Sequence, residues 1–417
     1  MQIGPILSTL RHHKLTASLL TLQVAFTCAI VCNVAFMVVN RVRQVSLPSG
    51  LAESELSVLK VAGIDQGENP QARHAMDLAV LRAIPGVQTA VAVDSLPLGR
   101  DDSTYGTCGS QQAWNHAMAV RSLNGVDGCV NPSVYSGSPG ELSALGLRLA
   151  AGRDFLPDEY AQAKPGYVAA NVPSAIITRS LATKLYPGRD ALGQSLYMGG
   201  RSPMRIVGVV ENLLRPRLRE PGVNQYSVLL PSVPGDHAVA YVLRSAPQDR
   251  ERVLASAVET LTRLDPNRLI PPDGVRTYTQ IRHDYFQRDT TMIGLLIASA
   301  LGLLFVTALG IAGLANFWVQ QRTRSIGIRR AIGATRSDIL RYFQTENLLI
   351  VTAGIVLGVL LAVLLNLLLM THYELPRLPL WYLPVGALVL WALGQLSVLS
   401  PALRAAQVPP VVATRSI

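Results

Sequence analysis

The sequence predicts an α-helical membrane protein with four transmembrane helices plus an α+β periplasmic domain, which contains a βαβ subdomain and an inserted, mainly β subdomain. Three observations support this fold class. Four apolar runs each approach the roughly 20 residues that a spanning helix needs. Arginine and lysine are concentrated in the short segments beside these runs. A stretch of about 250 residues after the first run has nearly balanced charge, which is typical of a folded domain outside the bilayer.

The first apolar run, residues 15–40, follows a tail at residues 1–14 that ends in the charged string Arg11–Lys14. A charged tail before an apolar run also occurs in signal peptides. The run is longer than the roughly 7 to 15 apolar residues of a signal peptide, and Met37–Arg43 offers no small-residue cleavage site. We therefore predict an uncleaved signal anchor that forms the first transmembrane helix.

The other three runs divide the second half of the chain. The last of them is short, so we expect flanking residues such as Trp381 and Tyr382 to complete its span. The predicted order is transmembrane helix 2 at 292–319, a cytoplasmic segment at 320–346, transmembrane helix 3 at 347–370, a periplasmic loop at 371–380, transmembrane helix 4 at 381–400 and a C-terminal tail at 401–417.

The distribution of charge predicts the topology. The two tails and segment 320–346 together hold ten basic residues against two acidic ones, whereas residues 41–291 hold 26 basic and 24 acidic residues. Because short cytoplasmic segments carry the excess of Arg and Lys, both termini are predicted to be cytoplasmic. The loop with Glu374 and Arg377 and the large domain then lie outside a bacterial inner membrane.

The distribution of charge also indicates which partners the chain contacts. The chain has a net charge of +10, which alone could indicate nucleic acid as a partner. The positive residues lie at the predicted membrane edges, where anionic lipid and the topology rule already account for them. We therefore expect contact with the lipid bilayer and no nucleic-acid binding.

Residues 41–291 form the predicted periplasmic domain. Helical patterns at Gln71–Ile84 and Gln248–Leu264 each lie between extended segments, and both helices open with a Pro-Gln-x-Arg string, at Pro70–Arg73 and Pro247–Arg250. Residues 99–234 between them are rich in Gly and Pro and contain short strand patterns. This arrangement predicts βαβ elements at both ends of the domain and an inserted, mainly β subdomain at about 99–234.

The four cysteines occur in two environments. Cys108 and Cys129 fall in the inserted subdomain, where an oxidising periplasm would join them as a disulfide. Cys28 and Cys32 are four residues apart on the first span and are expected to pack as small apolar side chains. The sequence has no CxxC pair and no His-rich ligand spacing, so it predicts no metal site.

Catalytic motifs give no support for an enzyme. Gly188–Ser195, GRDALGQS, is similar to a phosphate-binding loop, but Gln194 replaces the lysine and the predicted topology places the loop outside the cell. The sequence contains neither HExxH nor GxSxG. The spans also lack the mid-bilayer ionisable residues typical of ion-coupled carriers. We therefore predict no cofactor in this chain. A membrane-anchored sensor or scaffold remains open as an interpretation.

Small residues at helical spacing occur in two of the predicted spans. They indicate close helix packing, and the sequence leaves open whether the partner helix belongs to this chain or to another subunit. These residues are Gly294, Ala298 and Gly302 in the second span and Gly354 and Gly358 in the third.

The basic segment 320–346 reads as two short helices separated at Gly333, with Thr335 or Ser337 as a cap for the second. Its string Ser325–Arg336, followed by Asp338, Ile339, Leu340 and Glu346, resembles the cytoplasmic signature of FtsX-like and MacB-like permeases of the type VII ABC superfamily. Further similar strings are Leu145–Phe155, Ala175–Pro187, Ala191–Gly193, Arg205–Val210 and Pro401–Pro410 with Ala413 and Arg415. The resemblance is weakest at residues 99–139, where no similar string is identified.

The resemblance implies a permease subunit of an ABC transporter of the MacB type, with ATP bound by a partner ABC-type ATPase dimer. It also implies export of a substrate such as an antibiotic or peptide, a second permease copy or paralogue, and a periplasmic adaptor and outer-membrane channel as further partners. An FtsX-like permease that releases lipoproteins or activates a hydrolase is the alternative within the family. The alternative outside the family is that segment 320–346 is a basic helix on the membrane surface that only fixes the topology. The implied ATPase-contacting residues are Gly333, Ala334, Thr335, Arg336, Asp338 and Ile339.

Overall fold

The computed structural model of the chain describes residues 14–64, 67–99, 101–123, 125–169, 171–199, 202–219, 222–373 and 378–407. These residues form two compact units. One lies within Met1–Ser46 and Arg288–Ile417 and is helical, and the other is Leu47–Gln287. Predicted features that fall outside the described residues are the tail at 1–13, the loop residues Glu374 and Arg377, and residues 408–417 of the C-terminal tail.

The elements alternate between helix and strand in the domain and are helical elsewhere. The helices are α1 (Lys14–Val45), α2 (Pro70–Arg82), α3 (Gln111–Val120), α4 (Glu141–Leu145), α5 (Arg179–Leu185), α6 (Arg250–Leu264), α7 (Tyr278–Gln321), α8 (Thr323–Ala331), α9 (Arg336–Tyr373) and α10 (Tyr382–Ala406). The strands are β1 (Leu56–Gly63), β2 (Val87–Val93), β3 (Thr107–Cys108), β4 (Cys129–Val130), β5 (Ser133–Ser136), β6 (Leu149–Gly152), β7 (Ala161–Gln162), β8 (Ser174–Thr178), β9 (Ser195–Met198), β10 (Met204–Val210), β11 (Ser227–Leu230), β12 (Ser232–Val233), β13 (Ala238–Ser245), β14 (Arg268–Leu269) and β15 (Val275–Thr277).

Among the described residues, four helices are long and apolar enough to cross a membrane: α1, α7, α9 and α10. The predicted set of four transmembrane helices is confirmed. The helices also include polar residues beyond the predicted apolar runs: α7 begins at Tyr278, well before residue 292, and α9 begins at Arg336, inside the predicted segment 320–346. Hydropathy marks the membrane-embedded part of a helix, whereas its ends are set by capping and backbone hydrogen bonds.

The domain Leu47–Gln287 is built on a five-stranded antiparallel sheet. Its strand order is β14–β1–β13–β2, with β15 also paired to β1. Strands β1 and β2 both lie antiparallel to β13, so β1–α2–β2 is a βαβ unit with β13 between its strands. In the same way, β13–α6–β14 is a second βαβ unit with β1 between its strands. The two units interleave in a ferredoxin-like arrangement.

Both faces of this sheet are buried. On one face, alternate residues such as Leu59, Val61 and Tyr241 form a core with α2 and α6. On the other face, Val58 and Val242 lie in a core shared with the inserted subdomain. Burial on both sides explains why apolar residues occupy consecutive positions in these strands, as in Val91–Val93 and Val239–Leu243.

The inserted subdomain contains β3 to β12 and joins the chain between β2 and β13. Its eight-stranded sheet has the order β4–β3–β9–β10–β8–β11–β5, with β6 paired to β10, and β7 and β12 form a separate pair. The predicted α+β domain with a mainly β insertion is confirmed. Residues Gly188–Ser195 lie between α5 and β9, where the chain forms turns before β9 begins at Ser195.

A disulfide joins Cys108 and Cys129 at the edge of this sheet. The two residues are direct partners in the antiparallel pair β3–β4, and the 21-residue separation between them encloses α3. They lie in a small buried cluster with Ala117, against which Trp114 packs. Because this apolar cluster is small, we expect the disulfide to contribute to holding α3 in place.

We predict that the double substitution Cys108→Ser and Cys129→Ser lowers the stability of the α3 region by about 3 kcal/mol, the value expected for closing a loop of this length. Limited proteolysis of the full chain would measure this as faster cleavage between residues 109 and 128.

The matched control is Cys28→Ala with Cys32→Ala, which removes two thiols that are buried in the helical unit and leaves the disulfide intact. Equal cleavage rates for the wild type and the Cys108 and Cys129 double variant would contradict a stabilising role for the bond.

Candidate functional site

The connection between α8 and α9 is a rigid turn. The Ala334 N–H donates to the Arg329 carbonyl at 3.0 Å, and the Gly333 N–H donates to the Arg330 carbonyl at 3.2 Å. Gly333 has φ of +106°, a conformation that residues with a Cβ rarely adopt. These are the hydrogen bonds and the glycine of a Schellman motif. The break that the sequence predicts at Gly333 therefore has a defined geometry.

The next helix, α9, is capped by two side chains. Asp338 N donates to Thr335 Oγ1 at 3.2 Å, and Thr335 N donates to Asp338 Oδ2 at 3.0 Å. This reciprocal pair is a capping box, which satisfies backbone N–H groups that would otherwise lack partners at the helix start. Of the two caps that the sequence allows, the structure uses Thr335. Thr335 and Asp338 thus hold the turn in shape.

A buried ion pair joins the start of α8 to α9. Arg322 Nη1 donates to both carboxylate oxygens of Glu346, at 3.1 and 2.9 Å. The Glu346 side chain is 2% exposed and that of Arg322 is 16% exposed. Removing either partner would leave a charge with little access to water. The pair therefore fixes α8 relative to α9, and the sequence analysis assigned it no role.

Two cation–π contacts support the same position of α8. The Arg322 guanidinium lies 5.9 Å from the centroid of the Trp318 ring, and that of Arg329 lies 5.0 Å from the Tyr342 ring. Ile326 is buried in the core of the helical unit. Ile326 and Arg329 of α8, together with Arg322 just before it, thus face the bundle, which leaves the opposite side of α8 exposed.

Five of the six predicted contact residues lie at the accessible turn. Gly333, Thr335, Arg336 and Asp338 are exposed, and Ala334 is half-buried.

Ile339, the sixth predicted contact residue, does not lie at the accessible surface of the turn. Its side chain is 5% exposed and belongs to the core of the helical unit. The capping of α9 by Thr335 turns position 339 toward the bundle rather than toward solvent. The apolar surface that the sequence analysis missed is instead Ile332, which is 81% exposed, and Ile328, which is 46% exposed. The predicted break at Gly333 could have identified Ile332 as an exposed residue, because Ile332 lies directly before this glycine.

The two predicted sets of small residues have different surroundings. A Cβ at Gly354 would lie 2.7 Å from Val24 Cβ, and one at Gly358 would lie 2.7 Å from the Ala25 carbonyl oxygen. These glycines therefore let α9 approach α1 closely. Gly294 and Gly302 on α7 meet no atom within 4 Å among the described residues. The face of α7 that carries them and Ala298 is exposed.

Polar side chains also join the membrane helices. Asn33 Nδ2 donates to the Ala362 carbonyl at 3.1 Å and connects α1 to α9. The hydroxyl groups of Thr27 and Thr307 are 2.8 Å apart and connect α1 to α7. Because an unpaired polar group in a bilayer is costly, such contacts specify which helices are neighbours.

A buried polar network in the domain has the residue types of a catalytic relay. Tyr241 Oη donates to Asp77 Oδ2 at 2.7 Å, Arg268 pairs with Asp77, and His74 Nδ1 lies 2.9 Å from Tyr241 Oη. Burial lowers the pKa of His74 to about 4, so the ring is neutral near pH 7. The network lies between α2, β13 and β14, where it stabilises the sheet. The described residues contain no group of three or more His, Cys, Asp or Glu that could hold a metal ion.

Comparison with known families and proteins accounts for nearly the whole chain. The family described as MacB-like periplasmic core domain matches residues 18–267, and the family described as FtsX-like permease C-terminal matches residues 297–410. A macrolide export ATP-binding/permease protein MacB 1/2 of Paracoccus denitrificans is 27% identical over 85% of this chain and 49% of its own length. The MacB protein of Sodalis glossinidius is 25% identical over 78% of this chain and 50% of its own length. The chain thus spans about half the length of these relatives.

Solved structures with partial similarity include the periplasmic region of MacB from Actinobacillus actinomycetemcomitans, which covers 56% of this chain and 94% of that chain at 12% identity with a TM-score of 0.35. The extracellular domain of the ABC-type transporter YknZ from Gram-positive bacteria covers 51% of this chain and 99% of that chain at 13% identity with a TM-score of 0.32. The first family match covers more than half of the chain. The chain belongs to the family of MacB-like and FtsX-like ABC transporter permeases.

Proposed function

We propose that this chain is the permease subunit of an ATP-driven transporter that passes the motion of a separate ABC-type ATPase dimer to its periplasmic domain. The observation that carries the proposal is the turn at residues 332–338. It is exposed, its backbone is held by a Schellman motif and a capping box, and it is anchored by the Arg322–Glu346 pair. A surface of this kind can bind a partner and move with it as a rigid body.

The position of the turn suits the cytoplasmic side of an inner membrane. Segment 320–346 has six arginines and two acidic residues, the composition expected of a cytoplasmic loop. Both termini would then be cytoplasmic. The sequence supplies no phosphate-binding loop, since Gly188–Ser195 lacks the lysine. We therefore propose that ATP is bound by the ABC-type ATPase rather than by these residues.

Helix α7 provides a path for the motion. It is one continuous helix of 44 residues, Tyr278–Gln321. Its first turns belong to the domain Leu47–Gln287, and the rest belongs to the helical unit. Movement of α8 would act on the end of this helix through Arg322, the residue between α7 and α8. Export of an antibiotic or a peptide is the activity that we propose by similarity to relatives named macrolide export proteins.

A second permease subunit would complete the assembly. In the most apolar 18-residue stretch of α7, 6% of the residues are buried within the chain, whereas 44% are buried in the corresponding stretch of α1. The exposed face with Gly294, Ala298 and Gly302 allows close approach of another helix. We propose that this partner is a second copy of the chain or a paralogue. A periplasmic adaptor and an outer-membrane channel are further partners suggested by the family.

Binding of the ATPase tests the coupling surface. We predict that Ile332→Glu reduces the amount of co-purified ABC-type ATPase by about ten-fold or more, because a charge replaces an exposed apolar side chain at the centre of the contact. Ile64→Glu is the matched control, since Ile64 is 64% exposed and lies in the periplasmic domain. Ile339→Glu is not a docking test because it places a charge in the core of the helical unit.

Retention of the ATPase by Ile332→Glu at the wild-type level would contradict the docking assignment. If the wild-type chain binds no ATPase, the sensor or scaffold interpretation replaces the permease. If the ATPase binds and the substrate is a lipoprotein or a hydrolase regulator, the FtsX-like alternative holds.

The Arg322–Glu346 pair has its own test. We predict that Glu346→Gln speeds hydrogen exchange in residues 323–331 by roughly 100-fold, because loss of one partner of a buried pair costs about 3 kcal/mol. The measurement is hydrogen–deuterium exchange of the full chain in nanodiscs.

The double variant Arg322→Met with Glu346→Leu is the comparison. It removes both charges and keeps similar volume, so protection of α8 should be recovered. If Glu346→Gln exchanges as slowly as the wild type, the pair does not hold α8 in place.

Crosslinking tests the second subunit. We predict that Ala298→Cys or Gly302→Cys, introduced with Cys28→Ala and Cys32→Ala, gives a disulfide-linked dimer on mild oxidation. Leu364→Cys on α9 is the control, since Leu364 is 57% exposed and lies away from the small-residue face. Crosslinking at residue 364 equal to that at 298 and 302 would exclude this face as a specific interface.

A further inference from the structure

A cavity of about 310 Å³ lies within the periplasmic domain. Its walls come from β1 and β13, the chain that follows β2, the turn before β15 and the first turns of α7. Val58 and Ala240 place it on the sheet face opposite α2 and α6. The volume is at the lower end of the range for small-molecule sites. None of the residues that line the cavity belongs to the turn that we propose binds the ATPase.

One wall of the cavity is apolar and has a strained backbone. Leu96, Leu98 and Ile281 line it together with Val58 and Ala240. Leu98 is 3% exposed and has φ of +60°, a region that branched, bulky side chains rarely occupy. Such strain persists where the surrounding structure holds it and is common at ligand sites. The apolar wall is therefore a formed surface that can contact the hydrocarbon part of a ligand.

Asp94 supplies an oriented carboxyl group to the cavity. Its Oδ1 accepts hydrogen bonds from the Ser136 backbone N–H at 3.0 Å and from Ser95 Oγ at 3.2 Å. The residue lines the cavity and keeps partial exposure there. Burial raises the pKa of the Asp94 carboxyl, although the hydrogen bonds from Ser136 and Ser95 oppose this. Among the described residues, no ion pair to Asp94 is present.

A second buried acid lies in the electrostatic range of Asp94. Glu141 is 1% exposed, and its Oε1 has no hydrogen-bond partner within the described part of the chain. Burial and the charges of Asp94 and Asp154 raise the pKa of Glu141 well above its usual value. A positive charge placed beside Asp94 would lower the pKa of both carboxyl groups.

The other charged residues around the cavity balance one another. Lys60 pairs with Asp101 at 3.8 Å, and Arg276 pairs with Asp284 at 2.7 Å. Arg217 and Asp273 contribute one charge of each sign. Among the described residues that line the cavity, Asp94 is thus the acid in excess, and it lies beside the apolar wall.

We propose that this cavity binds a small amphipathic cation, a primary amine with an apolar body, whose ammonium group donates to Asp94 and whose apolar part contacts Leu98 and Ile281. The ammonium supplies the positive charge that the site lacks. The hydrocarbon part fills the cavity beside the strained wall.

The test compares three probes with the same ring and different end groups: 4-fluorophenethylamine, 4-fluorophenethyl alcohol and 3-(4-fluorophenyl)propionate. Binding to the full chain in nanodiscs is measured by fluorine NMR, with binding to empty nanodiscs subtracted. We expect the amine to bind at least ten-fold more tightly than the alcohol and the carboxylate not to bind.

Asp94→Asn keeps the Oδ1 acceptor and removes the charge. It should weaken amine binding at least ten-fold while changing alcohol binding less than two-fold. Asp158→Asn, the same change at an exposed residue of the domain, should change neither. Ile281→Trp should weaken both probes because its side chain fills the cavity, and it tests the site even if Asp94→Asn does not fold.

The proposal is overturned if the amine binds no better than the alcohol. It is also overturned if Asp158→Asn weakens the amine as much as Asp94→Asn does, or if Ile281→Trp leaves both affinities unchanged.

Discussion

Close approach of α1 and α9 is the contact on which the helical unit depends. In a bilayer, burial of leucine against leucine gains little, because lipid is equally apolar, and helices associate where small residues let their backbones meet. Gly354 and Gly358 give α9 such a surface, and a Cβ at either would overlap the backbone or Cβ atoms of α1. Asn33 adds a hydrogen bond across the same pair of helices. Once α9 is fixed against α1, Glu346 on α9 has a defined position, and the position of α8 follows from it through Arg322.

Helix α7 is held differently. Polar contacts join it to α1 near the middle at Thr307 and near one end, where Arg41 pairs with Asp289. Its small residues Gly294 and Gly302 meet nothing within 4 Å among the described residues. The later turns of α7 pack Ile311, Ala315 and Trp318 into the core of the helical unit. The stretch from Asp289 to Thr307, which a few polar contacts hold, can shift relative to its neighbours at lower cost than helices held by interlocked backbones. In the proposed mechanism, α7 is the helix that moves, and the α1–α9 pair is the fixed reference.

Local features were predictable from the sequence because local chemistry determines them. The break at Gly333 and the cap at Thr335 require particular residues at particular positions, and the apolar runs are long enough to identify four spans. The environment of a side chain was harder to predict. Gly294 and Gly354 have the same helical spacing to a second glycine or alanine, yet one is exposed and the other contacts α1. Ile339 looked exposed because it is in a basic segment, but the rotation of α9 buries it. Such differences depend on which helices meet, and that information is not local.

The amine site depends on long-range topology to an even greater degree. Asp94 follows β2 directly, at the point where the chain leaves the five-stranded sheet to form the inserted subdomain. The same loop is tied to the first turn of α7, since Tyr278 Oη donates to the Pro97 carbonyl at 2.9 Å. An occupant of the cavity would therefore contact both the exit to the inserted subdomain and the start of α7. Because a ligand stabilises the conformation in which its contacts are formed, an amine bound at Asp94 would favour one position of Leu98 relative to Ile281. The binding energy of the amine would then act on the first turns of α7, the helix that we propose transmits the motion.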